Sequence, residues 1–243
     1  MLNKWLVSYG NWLFHYRDKV FPVVLIALFA GFTPALFGGD LNSDSNLDVA
    51  GFMVAGLGQL YRWLVIGLAY IKRGGLGKRV YAKELVTHGF FAHVRNPLYG
   101  GNLMILAGLF MLHNNPAVYV AGGSFFLLAY VAIVAAEEAY LKAKFPEYSE
   151  YCQDVPRWIP NFADLGKTIS GMRFHWRRAL LKDSFSGAMW LLTAYTILSL
   201  EAWYGGGAAA LSSRVQSLLP WVALTLLAPL TALVLKKRGL LNV

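Results

Sequence analysis

Residues 83–101, KELVTHGFFAHVRNPLYGG, place two histidines, an arginine and an Asn-Pro step between two strongly apolar regions. Polar groups at a membrane boundary are costly to bury and usually serve a function. Pro97 disfavours helix in the residue before it and suits the first turn of a helix that follows. The unpaired amides of such a turn favour a carboxylate or a phosphate. The stretch is a candidate binding wall, although alone it is equally typical of a loop before a proline-initiated helix.

A second group of polar residues begins at Glu137 and Glu138, at the end of a later apolar run. The tight turn at 113–116 predicts an antiparallel helical hairpin, which returns these carboxylates to the membrane face that carries residues 95–101. They could be solvated boundary charges or partners of nearby lysines. Beside a pocket, one could instead hold a ribose diol or a cationic ligand. Residues 145–160, FPEYSEYCQDVPRWIP, are rich in aromatic and turn-forming residues and read as an interfacial cap.

The elements that must position these groups are transmembrane helices. Of the 243 residues, 57% are hydrophobic and 14% charged, with a mean hydropathy of +0.46, whereas soluble domains carry about 25% charged residues. We therefore predict an all-α integral membrane bundle forming a single domain, 1–243. Cys152 is the only cysteine, and the five histidines lack ligand spacing, so no metal site is expected. The net charge is +9, and the basic segments that carry it alternate with apolar runs. This distribution argues against a continuous nucleic-acid-binding face.

Six spans of the length that crosses a bilayer are predicted at 20–37, 49–71, 98–112, 117–136, 184–204 and 218–235. The last two are joined by a predicted Gly-rich loop at 205–217. With both termini in the cytoplasm, 20 of the 22 Lys and Arg residues lie in cytoplasmic segments, the exceptions being Arg62 and Arg214. The positive-inside rule favours that orientation, in a bacterial inner membrane or the endoplasmic reticulum.

Two further basic features leave alternatives open. Arg62, with Gln59 one turn earlier, interrupts the second span; it either snorkels to the interface or faces the bundle interior at a site. Residues 168–183, TISGMRFHWRRALLKD, are predicted to form an interfacial helix with its arginines near the headgroups. Such helices mostly anchor to anionic lipid, although arginine also suits a phosphate-bearing substrate.

Two blocks together resemble the isoprenylcysteine carboxyl methyltransferase and phospholipid methyltransferase superfamily. The family pattern, roughly LVTxGxYxxxRHPxYxG followed by EExxLxxxFGxxYxxYxxxVPRxxP, reads here LVTHGFFAHVRNPLYGG and EEAYLKAKFPEYSEYCQDVPRWIP. Both blocks occur in the expected order and separation, within a core at 83–160. The resemblance implies an S-adenosylmethionine-dependent membrane methyltransferase that binds its cofactor at the cytoplasmic face and takes a lipid or lipid-anchored acceptor from the bilayer.

Carried over residue by residue, the resemblance assigns roles to eleven positions. The implied catalytic or acceptor-side residues are Glu137, Glu138 and Arg157, and an amine acceptor would need a base, for which His88 is a further candidate. The implied cofactor contacts are Lys83, Glu84, Leu85, Val86, Phe91, Asn96, Tyr99, Gly100 and Glu137.

The chain departs from the family pattern at three places. Asn96 replaces the family histidine, which tilts the expected acceptor from an isoprenylcysteine carboxylate towards a phospholipid amine. Phe145-Pro146 replaces Phe-Gly, and the two last spans lie beyond the matched blocks. Two alternatives stay open, an NADPH-dependent reductase similar to the sterol reductases and a non-catalytic membrane scaffold. The acceptor and the oligomeric state are left undetermined.

Overall fold

The computed structural model describes residues 2–39, 41–68 and 77–240. Seven α-helices make up this part of the chain: α1 (Leu2–Gly31), α2 (Leu41–Leu68), α3 (Pro97–His113), α4 (Pro116–Lys144), α5 (Tyr148–Asp154), α6 (Leu165–Ser170) and α7 (Trp176–Lys237). Short 3-10 turns lie at Phe37–Gly39 and Gly89–Ala92. The described residues contain no β-strand, so the predicted all-α class is confirmed. Lys72, Arg73 and the last residues of the second predicted span lie outside the described residues.

Three helices in the described part are long and apolar enough to cross a membrane: Asp44–Leu68 of α2, Pro116–Lys144 and Trp176–Lys237. The shorter α3 is apolar as well. Helix α1 starts 18 residues before the predicted first span and ends six residues before its end. Its first half, 2–19, is amphipathic rather than apolar, and a hydropathy window therefore misses it, while Pro34 is incompatible with continuing the helix beyond Gly31.

Helices α3 and α4 form the expected hairpin. Pro97 occupies the first turn of α3 with Asn96 as its N-cap residue, and Asn114 ends α3 in the left-handed conformation, with φ 48°. Asn115 caps α4 by accepting a hydrogen bond from the Ala117 amide at 2.9 Å. Since the connection is so short, the helices run antiparallel, and the end of α4 returns to the level at which α3 begins.

Helices α2 and α3 pack at backbone contact. A Cβ atom added at Gly101 would lie 2.6 Å from Cγ of Arg62 and 2.9 Å from the carbonyl oxygen of Gly58. Small residues permit such close approach between membrane helices. Around this pair, α1 packs on α4, and α7 packs on α2 and α3. The largest core cluster joins all five of these helices through side chains such as Phe29, Ala55, Phe110, Phe126 and Ile197.

The predicted loop at 205–217 is wrong. Helix α7 runs through this segment and is broken only at Gly207, where φ is 66° and ψ −153°. The chain folds back there, because the Tyr195 and Thr225 hydroxyls, 30 residues apart, lie 3.2 Å from one another. Glycines are tolerated in membrane helices, so only the one residue that needs a positive φ ends the helix.

The predicted interfacial helix at 168–183 is also wrong as a single element. Helix α6 ends at Ser170, and α7 begins at Trp176. The junction is held by Arg178, whose guanidinium donates to the carbonyl oxygens of Ile66 and Gly67 at 2.7 Å. Asp183, the last residue of the predicted interfacial helix, is fully buried in the bundle.

Candidate functional site

A cavity of about 1100 Å³ lies between α1, α3, α4 and the first half of α7, with residues 80–98 along one side. Its volume slightly exceeds the roughly 300–1,000 Å³ of usual small-molecule sites. Of the eleven positions to which the resemblance assigns a role, nine line it: Lys83, Glu84, Leu85, Val86, Phe91, Asn96, Tyr99, Glu137 and Glu138. Gly100, Arg157 and His88 are not among the lining residues. Gly100 instead faces the ring of Tyr61 on α2.

Glu137 lies within a three-residue polar group on the cavity wall. The Tyr99 phenol donates a hydrogen bond of 2.7 Å to the Glu137 carboxylate. Arg17 of α1 in turn donates to the Tyr99 oxygen at 3.3 Å and lies over the ring of Phe14 at 4.2 Å. One carboxylate on the cavity wall is thus oriented by a phenol and lies near a cation.

Sequence reasoning missed Arg17, because it precedes the first predicted span and looks like an interfacial charge. A helix predicted from Leu2 onward would have placed Arg17 on the face of α1 that packs on the core. Leu13, Phe14, Phe21 and Leu28 recur at helical spacing and face the core with it. A charged residue within that apolar stripe indicates a buried polar partner.

Glu138 is held by two arginines, one from each sequence block. Arg157 donates to both of its carboxylate oxygens at 2.9 and 2.7 Å, and Arg95 donates at 3.0 Å. Burial alone would lower the pKa of Arg95, but Glu138, followed by Cys152 and Tyr148, more than offsets this, so its pKa lies above the ordinary value. The Glu138 carboxylate is thus paired with two guanidinium groups.

Backbone contacts also join the two blocks. The Asn96 side chain donates to the Arg157 carbonyl oxygen at 3.1 Å, and the Arg95 amide donates to the Pro156 carbonyl oxygen at 2.9 Å. Tyr151 donates to the Phe91 carbonyl oxygen at 2.6 Å. Burial raises the pKa of Tyr151 well above its usual range, so this phenol stays protonated. Residues 145–160 therefore form a cap over the segment at 91–97.

His93 anchors the segment that follows the cap. It is 6% exposed, and its two ring nitrogens lie 2.8 Å from the Asn161 carbonyl oxygen and 2.9 Å from the Thr168 hydroxyl. With both nitrogens used in this way, the residue serves packing rather than metal binding. In the described part, the group of side chains that could offer three metal ligands is Asp44, Asp48 and Glu201, whose oxygens lie within 4.8 Å of one another.

Arg62 faces the bundle interior, which resolves the alternatives that the sequence left open. Its guanidinium forms an ion pair with Asp183 of α7 and also donates to Asn102 of α3. Gln59 donates to the same Asp183 carboxylate at 2.7 Å. Arg62 and Asn102 line the cavity together with Ser186 of α7. The sequence beyond the two blocks thus supplies part of the cavity wall.

Comparison with known families identifies one match. The family model described as phospholipid methyltransferase matches residues 49–148. This confirms, over those residues, the resemblance drawn from the two blocks. The match extends from α2 through α3 and α4 to the first residue of α5. Among the polar lining residues named above, Arg17 and Ser186 lie outside it.

Two curated bacterial proteins are similar to parts of the chain. One is the cobalt-zinc-cadmium resistance protein CzcN of Cupriavidus metallidurans, 34% identical over 79 residues, which are 32% of this chain and 37% of that protein. The other is the nickel-cobalt-cadmium resistance protein NccN of Alcaligenes xylosoxydans xylosoxydans, 29% identical over 146 residues, 59% of this chain and 62% of that protein. The chain thus spans less than two thirds of either relative. No solved structure matches significantly.

Proposed function

We propose, from the phospholipid methyltransferase family that residues 49–148 match, that the protein is an S-adenosylmethionine-dependent membrane methyltransferase with a lipid-like acceptor. The observation that carries the proposal is the convergence of both sequence blocks on one cavity. Tyr99 of the first block is hydrogen-bonded to Glu137 of the second at 2.7 Å, and the lining residues continue from this polar end to apolar side chains of α1, α3 and α7.

The residues of the polar end fit S-adenosylmethionine, a cation that carries a ribose, an adenine and an amino-acid group. Leu85, Val86 and Phe91 line the cavity and offer apolar surface for the adenine. Glu137 offers a carboxylate for the ribose diol or for the cationic part. Arg95 lines the same cavity, and the positive charge of its guanidinium would attract the carboxylate group of the ligand.

S-adenosylmethionine, when bound, supplies an electrophilic methyl group for an in-line displacement. The residues of the cavity then have to align the acceptor and exclude water, which can lower the barrier by about 7–11 kcal/mol. An amine acceptor must also lose a proton. Glu137 is the favoured proton acceptor. The carboxylate of Glu138 is already held in ion pairs with Arg95 and Arg157, and His88 does not line the cavity. Tyr99 holds the Glu137 carboxylate in place during that step.

The acceptor is a lipid or lipid-anchored molecule whose apolar part extends along α7. Leu25, Phe29, Met189 and Ile197 all line that part of the cavity, and none of them could bind a charged group. A phospholipid amine stays slightly favoured over an isoprenylcysteine carboxylate, since Asn96 keeps a neutral amide at the family's histidine position.

The membrane arrangement that follows has six spans with both termini in the cytoplasm. Helices α2, α4 and the first half of α7 would supply three of them, since all three helices are long and apolar. The other three would be the second half of α1, α3 and residues 208–237 of α7. The cavity's polar end would then face the cytoplasm, where S-adenosylmethionine is made, and the cavity would reach into the bilayer.

The names of the two relatives refer to resistance against cobalt, zinc, nickel and cadmium. Within the described residues, the carboxylate group at Asp44, Asp48 and Glu201 offers only oxygen ligands. Oxygen ligands favour hard cations such as magnesium or calcium over cadmium or nickel. A direct metal-binding role is therefore poorly supported, and methyl transfer remains the function that the geometry supports best.

Labelled methyl transfer tests the proposal. The purified full chain is incubated with S-adenosylmethionine carrying a labelled methyl group and with a total membrane-lipid extract. We expect one lipid class to gain label with the wild type, and Glu137→Gln to reduce that label at least a hundredfold. Glu150→Gln, an exposed carboxylate of α5, is the matched control and should retain activity. Equal labelling by wild type and Glu137→Gln would contradict the proposed role, and NADPH binding instead would favour a reductase.

A further inference from the structure

A second, smaller cavity lies outside the proposed methyltransferase site. It has a volume of about 500 Å³ and is bounded by one face of α1, by residues 78–80 and by the end of α4. Val80 and Tyr140 line both cavities and form the wall between them. We call the smaller cavity the cationic groove, after its lining residues Lys78, Arg79 and His15, which are joined by Asn11, Trp12 and Tyr140.

The charge of this groove is of one sign. Lys78 and Arg79 are exposed, no carboxylate is among the lining residues, and within the described part neither cation takes part in an ion pair. His15 and Asn11 add further nitrogen donors that could hydrogen-bond a bound anion. A pocket with two cations, additional donors and no acidic side chain is complementary to a phosphate group.

The two helical walls of the groove are firmly placed. Helices α1 and α4 touch through their backbones beneath it, since a Cβ atom added at Gly10 would lie 1.9 Å from the Ala132 carbonyl oxygen. Trp12 belongs to an aromatic row along α1, with its ring centroid 6.1 Å from that of Tyr9 and 5.5 Å from that of Tyr16. Trp12 is 49% exposed and Tyr16 43%. Exposed tryptophan and tyrosine are typical of the headgroup level of a membrane.

We infer that the cationic groove is a binding site for a phosphate-bearing ligand, separate from the cavity in which methyl transfer is proposed. Lys78 and Arg79 would bind the phosphate oxygens, His15 and Asn11 would donate further hydrogen bonds, and the rings of Trp12 and Tyr140 would flank the group that carries the phosphate. The shared chemistry is that of an anionic phosphate, which either a lipid headgroup or a free phosphate could present. This inference does not rest on the proposed methyl transfer.

Native mass spectrometry of the delipidated full chain tests the inference. The probes are phosphatidylglycerol, which is anionic, and phosphatidylcholine, which is zwitterionic and has the same acyl chains. We expect the wild type to retain phosphatidylglycerol at least tenfold more tightly than phosphatidylcholine. Lys78→Gln with Arg79→Gln should remove that preference. The matched control is Lys237→Gln with Arg238→Gln, an exposed Lys-Arg pair at the end of α7, which changes the net charge equally and should keep the preference.

A second arm separates the two sources of phosphate. Displacement of bound phosphatidylglycerol by millimolar glycerol 1-phosphate would assign the site to the phosphate alone, whereas retention would assign it to the lipid as a whole. Trp12→Ala tests the aromatic wall without altering charge, and we expect it to weaken phosphatidylglycerol binding severalfold. The inference would be overturned if Lys78→Gln with Arg79→Gln, shown by circular dichroism to keep its helices, bound phosphatidylglycerol as tightly as the wild type.

Discussion

The Arg62–Asp183 ion pair provides the most quantitative prediction. Their side chains are 3% and 0% exposed, and the pair joins α7 to the helices of the family-matched segment. Asp183→Leu would leave the guanidinium buried with Asn102 and Ser186 as its remaining partners. Removing one partner of a buried pair costs about 3–5 kcal/mol. Because two partners remain, we expect a loss near the lower end, about 3 kcal/mol in the free energy of unfolding, which is roughly a hundredfold in the folding equilibrium.

The double variant Arg62→Met with Asp183→Leu removes both charges and leaves apolar side chains of similar size. Such replacements are often neutral or stabilising, so we expect the double variant to be within about 1 kcal/mol of the wild type. Gln59 and Asn102, which each lose one hydrogen-bond partner, would account for any remaining loss. Recovery in the double variant would identify the uncompensated charge, rather than lost packing, as the cause of the damage in Asp183→Leu.

Unfolding in mixed detergent micelles, followed by tryptophan fluorescence, measures both effects. Asp154→Leu, at an exposed carboxylate, is the control and should change the free energy of unfolding by no more than about 0.5 kcal/mol. The reasoning would be refuted if Asp183→Leu cost less than about 1 kcal/mol, or if the double variant were no more stable than Asp183→Leu alone.

Three further predictions concern packing, the cap and pH. Gly101→Ala should lower the free energy of unfolding by about 1–3 kcal/mol through overpacking against α2. Gly123→Ala is the control and should cause no such loss, because its added Cβ meets nothing within 4 Å. Equal thermal stabilities of the two variants would contradict the close packing of α2 and α3. Glu138→Gln should release the cap, seen as faster proteolysis after Arg157, with Glu150→Gln unaffected; unchanged cleavage would show that the ion pairs do not hold it. Because burial raises the pKa of Tyr151, its stabilising contribution is complete below the unfolded-state value of about 10 and is lost as pH rises above it. Tyr151→Phe should therefore show a weaker fall in stability above about pH 10 than the wild type, and an identical alkaline profile would contradict that linkage.

The features that were predictable from the sequence depend on local signals. Pro97 and the turn at 113–116 determine the α3–α4 hairpin, and the hairpin alone brings Glu137 back to Tyr99. The two blocks, each a short run of residues with a family pattern, then identify most of the residues that line the large cavity. Residues close in sequence specify these features, so local patterns were sufficient to predict them.

The features that were missed depend on contacts between distant residues. The Arg17–Tyr99 hydrogen bond spans 82 positions and the Arg62–Asp183 pair 121, and no local pattern indicates which partner a buried charge will find. The loop expected at 205–217 shows a different cause. Glycine lowers helix propensity by about 1 kcal/mol per residue in water, yet this segment is helical on both sides of Gly207.

The central claim is that residues 83–101 and Glu137 form an S-adenosylmethionine site, and crosslinking tests it most directly. Ultraviolet irradiation of the purified full chain with labelled S-adenosylmethionine, followed by peptide mapping, locates the bound cofactor without requiring an acceptor. We expect the label in the peptide that contains Phe91 and Tyr99, with competition by unlabelled cofactor and loss in Glu137→Gln. Label confined to other peptides, or equal labelling of Glu137→Gln, would contradict the proposed site.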